Sequence, residues 1–404
     1  MDKIMAERFC VTLICLSFVT FLGCNSALRV NDGGGRDVGA VVQPDAEACC
    51  SAMFQGIFSY TGSMTVARAG HAAALIDDGR VLILGGDDVR NNSLRVGSAE
   101  LYDSGTGTFT ATGSLLEIRS CSTATSLGNH RILVAGGAAD FSAGGKNDVQ
   151  AELYDVLTST FSATGSLTAG QRAYNTATLL PDGNVLVAGG VPLVSMAPVD
   201  PHADVYDVGA GTFNTTGNMT VARFKHTGTM LANGRVLIAG GSSGSSLNAS
   251  AELFNPLTGT FASTGSMMVA RYSHTATVLG DGRVLIAGGA DNNDKALGSA
   301  ELYDPTTGAF SGTGSMLARR YDHSATLLCD GTVLIVGGSE SNSIVLTSVE
   351  LYDPQTGTFR ATAGVLAGSG RSGHTATRLC SGKVLIAGGG DASMNSLSTA
   401  ELYE

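Results

Sequence analysis

Seven arginines recur at similar intervals, Arg68, Arg119, Arg172, Arg223, Arg271, Arg320 and Arg371, each heading a short segment rich in Ala, Thr and Leu. A guanidinium presents a planar fork of donors that suits a carboxylate, so a ring of seven forms a candidate anion-binding site. Each repeat also carries one acid: Glu100, Glu152, Asp204, Glu252, Glu301, Glu350 and Glu401. Seven bases matched by seven acids at a fixed register favour ion pairs inside the protein, because partly buried charges require partners. The arginines stay the candidate binding residues, with internal pairing the preferred reading. His71, His226, His274, His323 and His374 each follow an arginine by three residues, and Ser122 and Asn175 hold that place in the other two repeats. One zinc ion needs its histidines within bonds of about 2.0 to 2.1 Å, and repeat spacing holds these apart, so a packing or hydrogen-bonding role is expected and no metal. His130, in a turn, and His202, in a loop of the opposite face, alone depart from the register. There is no G-x-S-x-G elbow and no zinc-type cysteine spacing. The paired glycines of "LIAGG" precede no helix, which argues against a dinucleotide site. No catalytic residue and no cofactor is assigned.

These residues need elements to hold them, and the repeat supplies the elements. A double glycine begins at Gly85, Gly136, Gly189, Gly240, Gly288, Gly337 and Gly388, at intervals of 51, 53, 51, 48, 49 and 51 residues. Short runs of Val, Leu, Ile, Thr and Tyr alternate with Gly, Asp, Asn and Pro, so each copy reads as four short strands in a meander, with no helix. Asp78-Gly79, Asp182-Gly183, Asn233-Gly234, Asp281-Gly282 and Asp330-Gly331 are the dipeptides that tight hairpins favour. The second strand, as in Val284 to Ala287, is apolar without alternation and must be covered on both faces. Sheets stacked face to face around an axis meet that demand, giving an all-β, seven-bladed propeller of four-stranded antiparallel blades. The last repeat ends at Glu404 without a fourth strand, while Phe58 to Met64 matches Phe109 to Leu115. The N-terminal outer strand is therefore expected to complete the C-terminal blade and remove the open sheet edges. This makes one domain of residues 56–404. The loops between second and third strands, roughly 87–97, 138–150, 191–203, 242–250, 290–298, 339–348 and 390–399, differ from copy to copy and share one face, where binding is expected.

A double glycine, then a tyrosine, then a second aromatic, at a period near fifty, resembles the kelch repeat. The tyrosines are Tyr102, Tyr154, Tyr206, Tyr303, Tyr352 and Tyr403, with Phe254 in the fourth copy. Where the family usually has tryptophan this chain has Phe109, Phe161, Phe213, Phe261, Phe310 and Phe359, which weakens transfer of any particular relative's ligand. The resemblance implies a propeller and a non-catalytic binding or scaffold role, with an envelope protein or glycan as partner. The alternative it implies is a carbohydrate-active propeller enzyme, sialic-acid-mutarotase-like or galactose-oxidase-like. A structural envelope protein is a third class. The copper type needs tyrosines and histidines converging with a crosslinking cysteine, typically helped by an extra domain for which the chain has no room, and the mutarotase type needs an axial acid or base and an anion pocket, for which the arginine ring is the candidate.

Composition narrows the partners. The 404 residues include 55 glycines and no tryptophan, and a net charge of -11 gives no reason to approach nucleic acid. Lys3 and Arg8 precede an apolar run from Val11 to Leu22, the layout of a secretory signal over residues 1–23. Its end, Leu22-Gly23-Cys24, resembles the bacterial lipobox, which implies lipidation at Cys24 and a cell-envelope protein touching the membrane through its lipid anchor only. Asn25 implies delivery to the outer membrane or cell surface if the cell is Gram-negative. Residues 24–55, with a triple glycine at Gly33 to Gly35, read as a flexible tether. For Cys49 and Cys50, capping, pairing with other thiols and no role are all open. Cys121, Cys329 and Cys380 are an odd number, and equivalent positions in neighbouring copies exceed the disulfide reach of about 7 Å between Cα atoms, so no disulfide framework is expected. A monomer is expected.

Overall fold

The computed structural model describes residues 56–89, 94–139, 150–192 and 198–404. Residues 1–55, on which the expected signal and tether with Cys24, Cys49 and Cys50 fall, and parts of three loops lie outside the described residues. Blade five illustrates how the sequence builds its unit. Gly282 takes a φ of 85°, closing the turn between Thr275–Val278 and Val284–Ala287. Asp281 steadies the turn by accepting the Arg283 amide at 3.0 Å. These strands pair antiparallel with Thr275 opposite Ala287, and Ala300–Asp304 and Ala309–Gly312 continue the meander. All seven blades are four-stranded antiparallel sheets. The chain forms an all-β, seven-bladed propeller. In blade two the first strands lengthen to Arg119–Gly128 and Arg131–Ala139.

The second strand faces two neighbours at once. Val284 and Ile286 pack with Leu237 and Ala239 of blade four, whereas Leu285 and Ala287 pack with Val333 and Ile335 of blade six. Alternate side chains of a strand point to opposite faces, so an unbroken apolar run supplies both interfaces. Each buried Val, Leu or Ile contributes about 1.5–3 kcal/mol relative to exposure. One apolar cluster lies between every pair of neighbouring blades, including blades seven and one, where Leu385 and Ala387 meet Val81 and Ile83.

The ring closes as the repeat arithmetic requires. Phe58–Tyr60 pairs with Ala400–Tyr403, Phe58 opposite Tyr403, as the outermost strand of blade seven. The rings of Phe58 and Tyr403 lie 5.1 Å apart, and the other blades repeat this cross-strand aromatic pair at 4.8–4.9 Å. Hydroxyl bonds stitch blade to blade at the rim: Thr61 to Tyr102, Thr112 to Tyr154, Thr164 to Tyr206, Thr264 to Tyr303 and Thr313 to Tyr352. Phe254 has no hydroxyl to offer, and Thr216 keeps only the bond to the Gly259 carbonyl, at 2.8 Å, which Thr61, Thr164, Thr264 and Thr313 also make to the equivalent glycine.

The double glycine is a contact between blades. At Gly288, φ is 62°, and a Cβ would lie 2.5 Å from the Arg320 carbonyl oxygen of the next blade. The following amide, Gly289 N–H, donates to that same oxygen at 2.9 Å. One cysteine expectation requires correction. Cys121 in blade two and Cys329 in blade six are both disulfide-bonded, while Cys380 is free. Repeat spacing argued only against joining Cys329 to Cys380, and it says nothing about bonds that leave the repeat register.

Candidate functional site

The repeated charges form closed boxes inside the blades. In blade five, Arg271 Nη1 donates to the carbonyls of Gly288 and Ser299 at 2.7 and 3.0 Å. Its Nη2 donates to Ser299 Oγ and to Glu301 Oε1, the latter at 2.8 Å. Glu301 in turn accepts the amides of Met268 and Val269, in the connection that leads into the blade. Thus one pair fastens the second strand's end, the variable loop's end and the incoming connection. All seven arginines reach their acids at 2.5–2.9 Å, and the side chains of both partners are at most 1% exposed. Burial weakens each guanidinium's hold on its proton, and the paired carboxylate counters that effect. The seven candidate binding arginines are thereby sealed against their own blades.

Blade three explains the off-register His202. Asp204 is one methylene shorter than the glutamates, and Arg172 still reaches it at 2.5 Å. The second carboxylate oxygen is served by the Thr168 hydroxyl, and His202 Nε2 bonds that hydroxyl at 2.8 Å. Nε2 also lies 3.3 Å from Asp204 Oδ1. The loop therefore supplies what the shorter acid lacks. His130 sits in a turn of the other face, its amide donating to Asp77 of blade one at 3.0 Å.

The five in-register histidines connect neighbouring blades. Each Nε2 meets a hydroxyl on the preceding blade's first strand: His71 with Thr375, His226 with Thr176, His274 with Thr227, His323 with Thr275 and His374 with Ser324, at 2.8–3.2 Å. Burial, aided by the nearby arginines, pulls His71 and His226 down to about 3 and His274 and His323 well below the usual range. Burial and Arg371 bring His374 to about 3 as well. Among the described residues no group of three or more His, Cys, Asp or Glu is arranged to hold a metal ion.

A second ring escapes the sequence reading. The residue two places after each arginine takes a left-handed backbone: Gly70, Cys121, Tyr174, Lys225, Ser273, Asp322 and Gly373, with φ between 51° and 62°. Six of their amides donate to the equivalent carbonyl of the preceding blade: Gly70 to Gly373, Cys121 to Gly70, Lys225 to Tyr174, Ser273 to Lys225, Asp322 to Ser273 and Gly373 to Asp322. One residue per blade, bonded around the circle, must encircle the propeller axis. Non-glycine residues in this conformation cost about 1–3 kcal/mol each and collect at functional sites. Lys225 Nζ lies 5.0 Å from the centre of the Tyr174 ring and 5.5 Å from that of Tyr272. Asp322 is buried, which raises its carboxyl, while Lys225 and the Ser273 hydroxyl pull it back down.

Partly exposed aromatics join this ring to the variable loops. Phe224, Tyr272 and Tyr321 pair with Ser242, Ala290 and Ser339, the first residues of three such loops. The Tyr272 hydroxyl donates to Asp294 at 2.5 Å, and that of Tyr321 to Asn342 at 3.1 Å. Burial pushes the Tyr321 phenol up to about 12. The connections between blades lie on the same face, since Met316 and Arg320 donate amides to Gly298 and Leu297 in a variable loop. Leu116, Met268 and Leu317, equivalent residues of three connections, are exposed there. The sequence signal for the axial ring was two glycines at one register of an otherwise repetitive segment, with unlike side chains in the remaining copies.

No curated protein matches the chain. Residues 319–363, which span the four strands of blade six, match the family described as Kelch motif. That match, with seven four-stranded blades closed about one axis, supports a kelch-repeat β-propeller.

Proposed function

We propose that this chain is a non-catalytic binding scaffold that presents its variable-loop face to an envelope protein or glycan. One observation carries the reading: chemical variation among the repeats is concentrated on that face. The residues that recur, the arginine–acid pairs, the double glycines and the Tyr–Phe pairs, are buried or half-buried in the framework and hold neighbouring strands. What differs from blade to blade is the loops and the axial ring, positioned by rigid strands in the way that binding surfaces commonly are. The exposed apolar residues Leu116, Met268 and Leu317 on this face suit a protein contact. On the same reading, acylation of Cys24 tethers the chain to the membrane through residues 24–55.

The test is capture from envelope extract, together with a glycan array, using the full chain and two variants. One variant replaces 290–298 and 339–348 with short Gly-Ser loops, and the other exchanges turns 280–283 and 329–332 on the opposite face. The reading expects a bound species lost with the first variant and kept with the second. Retention by the first variant and loss by the second contradicts it. Labelling with a clickable fatty acid, abolished by Cys24→Ala, tests the tether separately.

A further inference from the structure

We propose that Cys329, in the first turn of blade six, is bonded to one thiol of the vicinal pair Cys49-Cys50, and that this bond latches the borrowed outer strand across the junction of blades six and seven. The proposal is independent of what the loop face binds.

Elimination and reach identify the partner. Cys121, Cys329 and Cys380 are the cysteines of residues 56–404; the first two are bonded and the third is free. Cys121 and Cys329 do not reach each other. Cys121 belongs to the axial ring, and in blade six the same ring position, Asp322, is separated from Cys329 by the whole first strand, Ser324–Leu327. The seven residues from Asp322 to Cys329, at about 3.3 Å each, make roughly 20 Å, against a disulfide reach of about 7 Å between Cα atoms. The partner of Cys329 is therefore one of Cys10, Cys15, Cys24, Cys49 and Cys50. Cys50 precedes Gly56 by six residues and Cys24 precedes it by thirty-two, so closing the shorter loop is favoured roughly tenfold. Adjacent cysteines rarely bridge each other because the geometry is strained, which leaves both thiols of the pair available to a third.

Gly56 stands beside the turn. A Cβ on Gly56 would lie 3.7 Å from the Tyr403 hydroxyl, and Tyr403 and Phe58 share one apolar cluster with Leu328, the residue before Cys329. Burial raises the Tyr403 phenol, Arg360 lowers it, and Asp330, the residue after Cys329, raises it again. Six extended residues span at most about 20 Å, enough to return from Gly56 to this turn. Cys380 occupies the matching turn of blade seven, but its sulfur lies beside Gly79 of blade one. The turn itself requires no thiol, since Asp77, Pro181, Ala232 and Gly280 hold this position in other blades. The junction is different: blade seven takes its outer strand from the far end of the chain, three residues paired with Ala400–Tyr403. Gly56 also accepts the Gly364 amide of blade six at 3.1 Å, so a bond to Cys329 holds the strand's entry to that blade at a second point. The bond forms by exchange with a protein or glutathione disulfide. A thiolate of the pair displaces one sulfur of that oxidant, and the Cys329 thiolate breaks the mixed disulfide, so the two cysteines are oxidised and the oxidant leaves as two thiols carrying both protons and both electrons.

Two measurements on the full chain, alkylated at harvest, test the latch. In a tryptic digest without reductant, mass spectrometry should find the peptide of residues 37–68, which carries Cys49 and Cys50, joined to that of residues 321–360, which carries Cys329, with Cys380 alkylated in 379–383. In hydrogen exchange, Cys329→Ser and the double change Cys49→Ser with Cys50→Ser should each speed the amides of residues 57–61 by at least about tenfold, while 300–304 in blade five exchange as in the parent. The digest needs no variant, and Cys329→Ser alters a position that tolerates unlike residues, so folding does not decide the result. Cys329 found alkylated, or joined to a peptide carrying Cys10, Cys15, Cys24, Cys121 or Cys380, would overturn the pairing. Exchange at 57–61 unchanged in both variants would overturn the latch.

Discussion

At the scale of single residues, the arginine–acid boxes give the sharpest expectation. Arg271→Met leaves Glu301 buried with its ion partner gone, so the variant should lose about 3–5 kcal/mol in urea unfolding. Arg271→Met combined with Glu301→Leu should lose less than the single change, because no lone charge remains; equal or greater loss contradicts the role given to the pair. The histidines set a pH dependence. In the folded chain His226 and His374 are held down at about 3, against about 6.5 when unfolded, so the unfolded state binds protons first. Their contribution is complete above about pH 6.5 and is lost as the pH falls towards 3. The thermal midpoint should decline over that window, and less steeply for His226→Asn, which installs the residue blade three already carries as Asn175; an unchanged slope argues against it. Fixed register made the boxes and the inter-blade histidines legible in sequence. His202 was not legible, because its role arises from one missing methylene in Asp204 and a loop that returns beside it. The axial ring was hidden for another reason: its signature is a backbone angle, which hydrophobic pattern does not record.

At the scale of elements, the strands and their order follow from the turn dipeptides and from the doubly apolar second strand. The borrowed outer strand was legible because Phe58 to Met64 repeats a segment found elsewhere in the chain. Disulfides were not legible, since spacing among copies constrains only bonds within the register, and Cys121 and Cys329 are bonded outside that argument. Two glycine substitutions distinguish element-level roles. Gly288→Ala combines a left-handed backbone with a Cβ driven 2.5 Å from a carbonyl of the next blade, so it should cost well over about 1 kcal/mol. Gly282→Ala, in a turn at φ 85° with open space around it, carries the backbone penalty alone, about 1 kcal/mol. Equal midpoints in urea would show that the double glycine is a turn device and not a contact between blades.

For the whole molecule, seven apolar interfaces and one borrowed strand make a closed ring whose framework repeats with few exceptions, such as Asp204 and Phe254. On the proposed reading, function is left to what breaks the symmetry: the loops, the aromatic residues beneath them and the unlike side chains at the axis. Hydrogen exchange on the full chain, bound to the species it captures from envelope extract, asks directly whether that asymmetry is the binding surface. Slowed exchange across 290–298, 339–348 and the axial residues 272–273 and 321–322, with turns 280–283 and 329–332 unchanged, is the predicted result. Slowing confined to those turns, with the loop face exchanging as in the unbound chain, would contradict it.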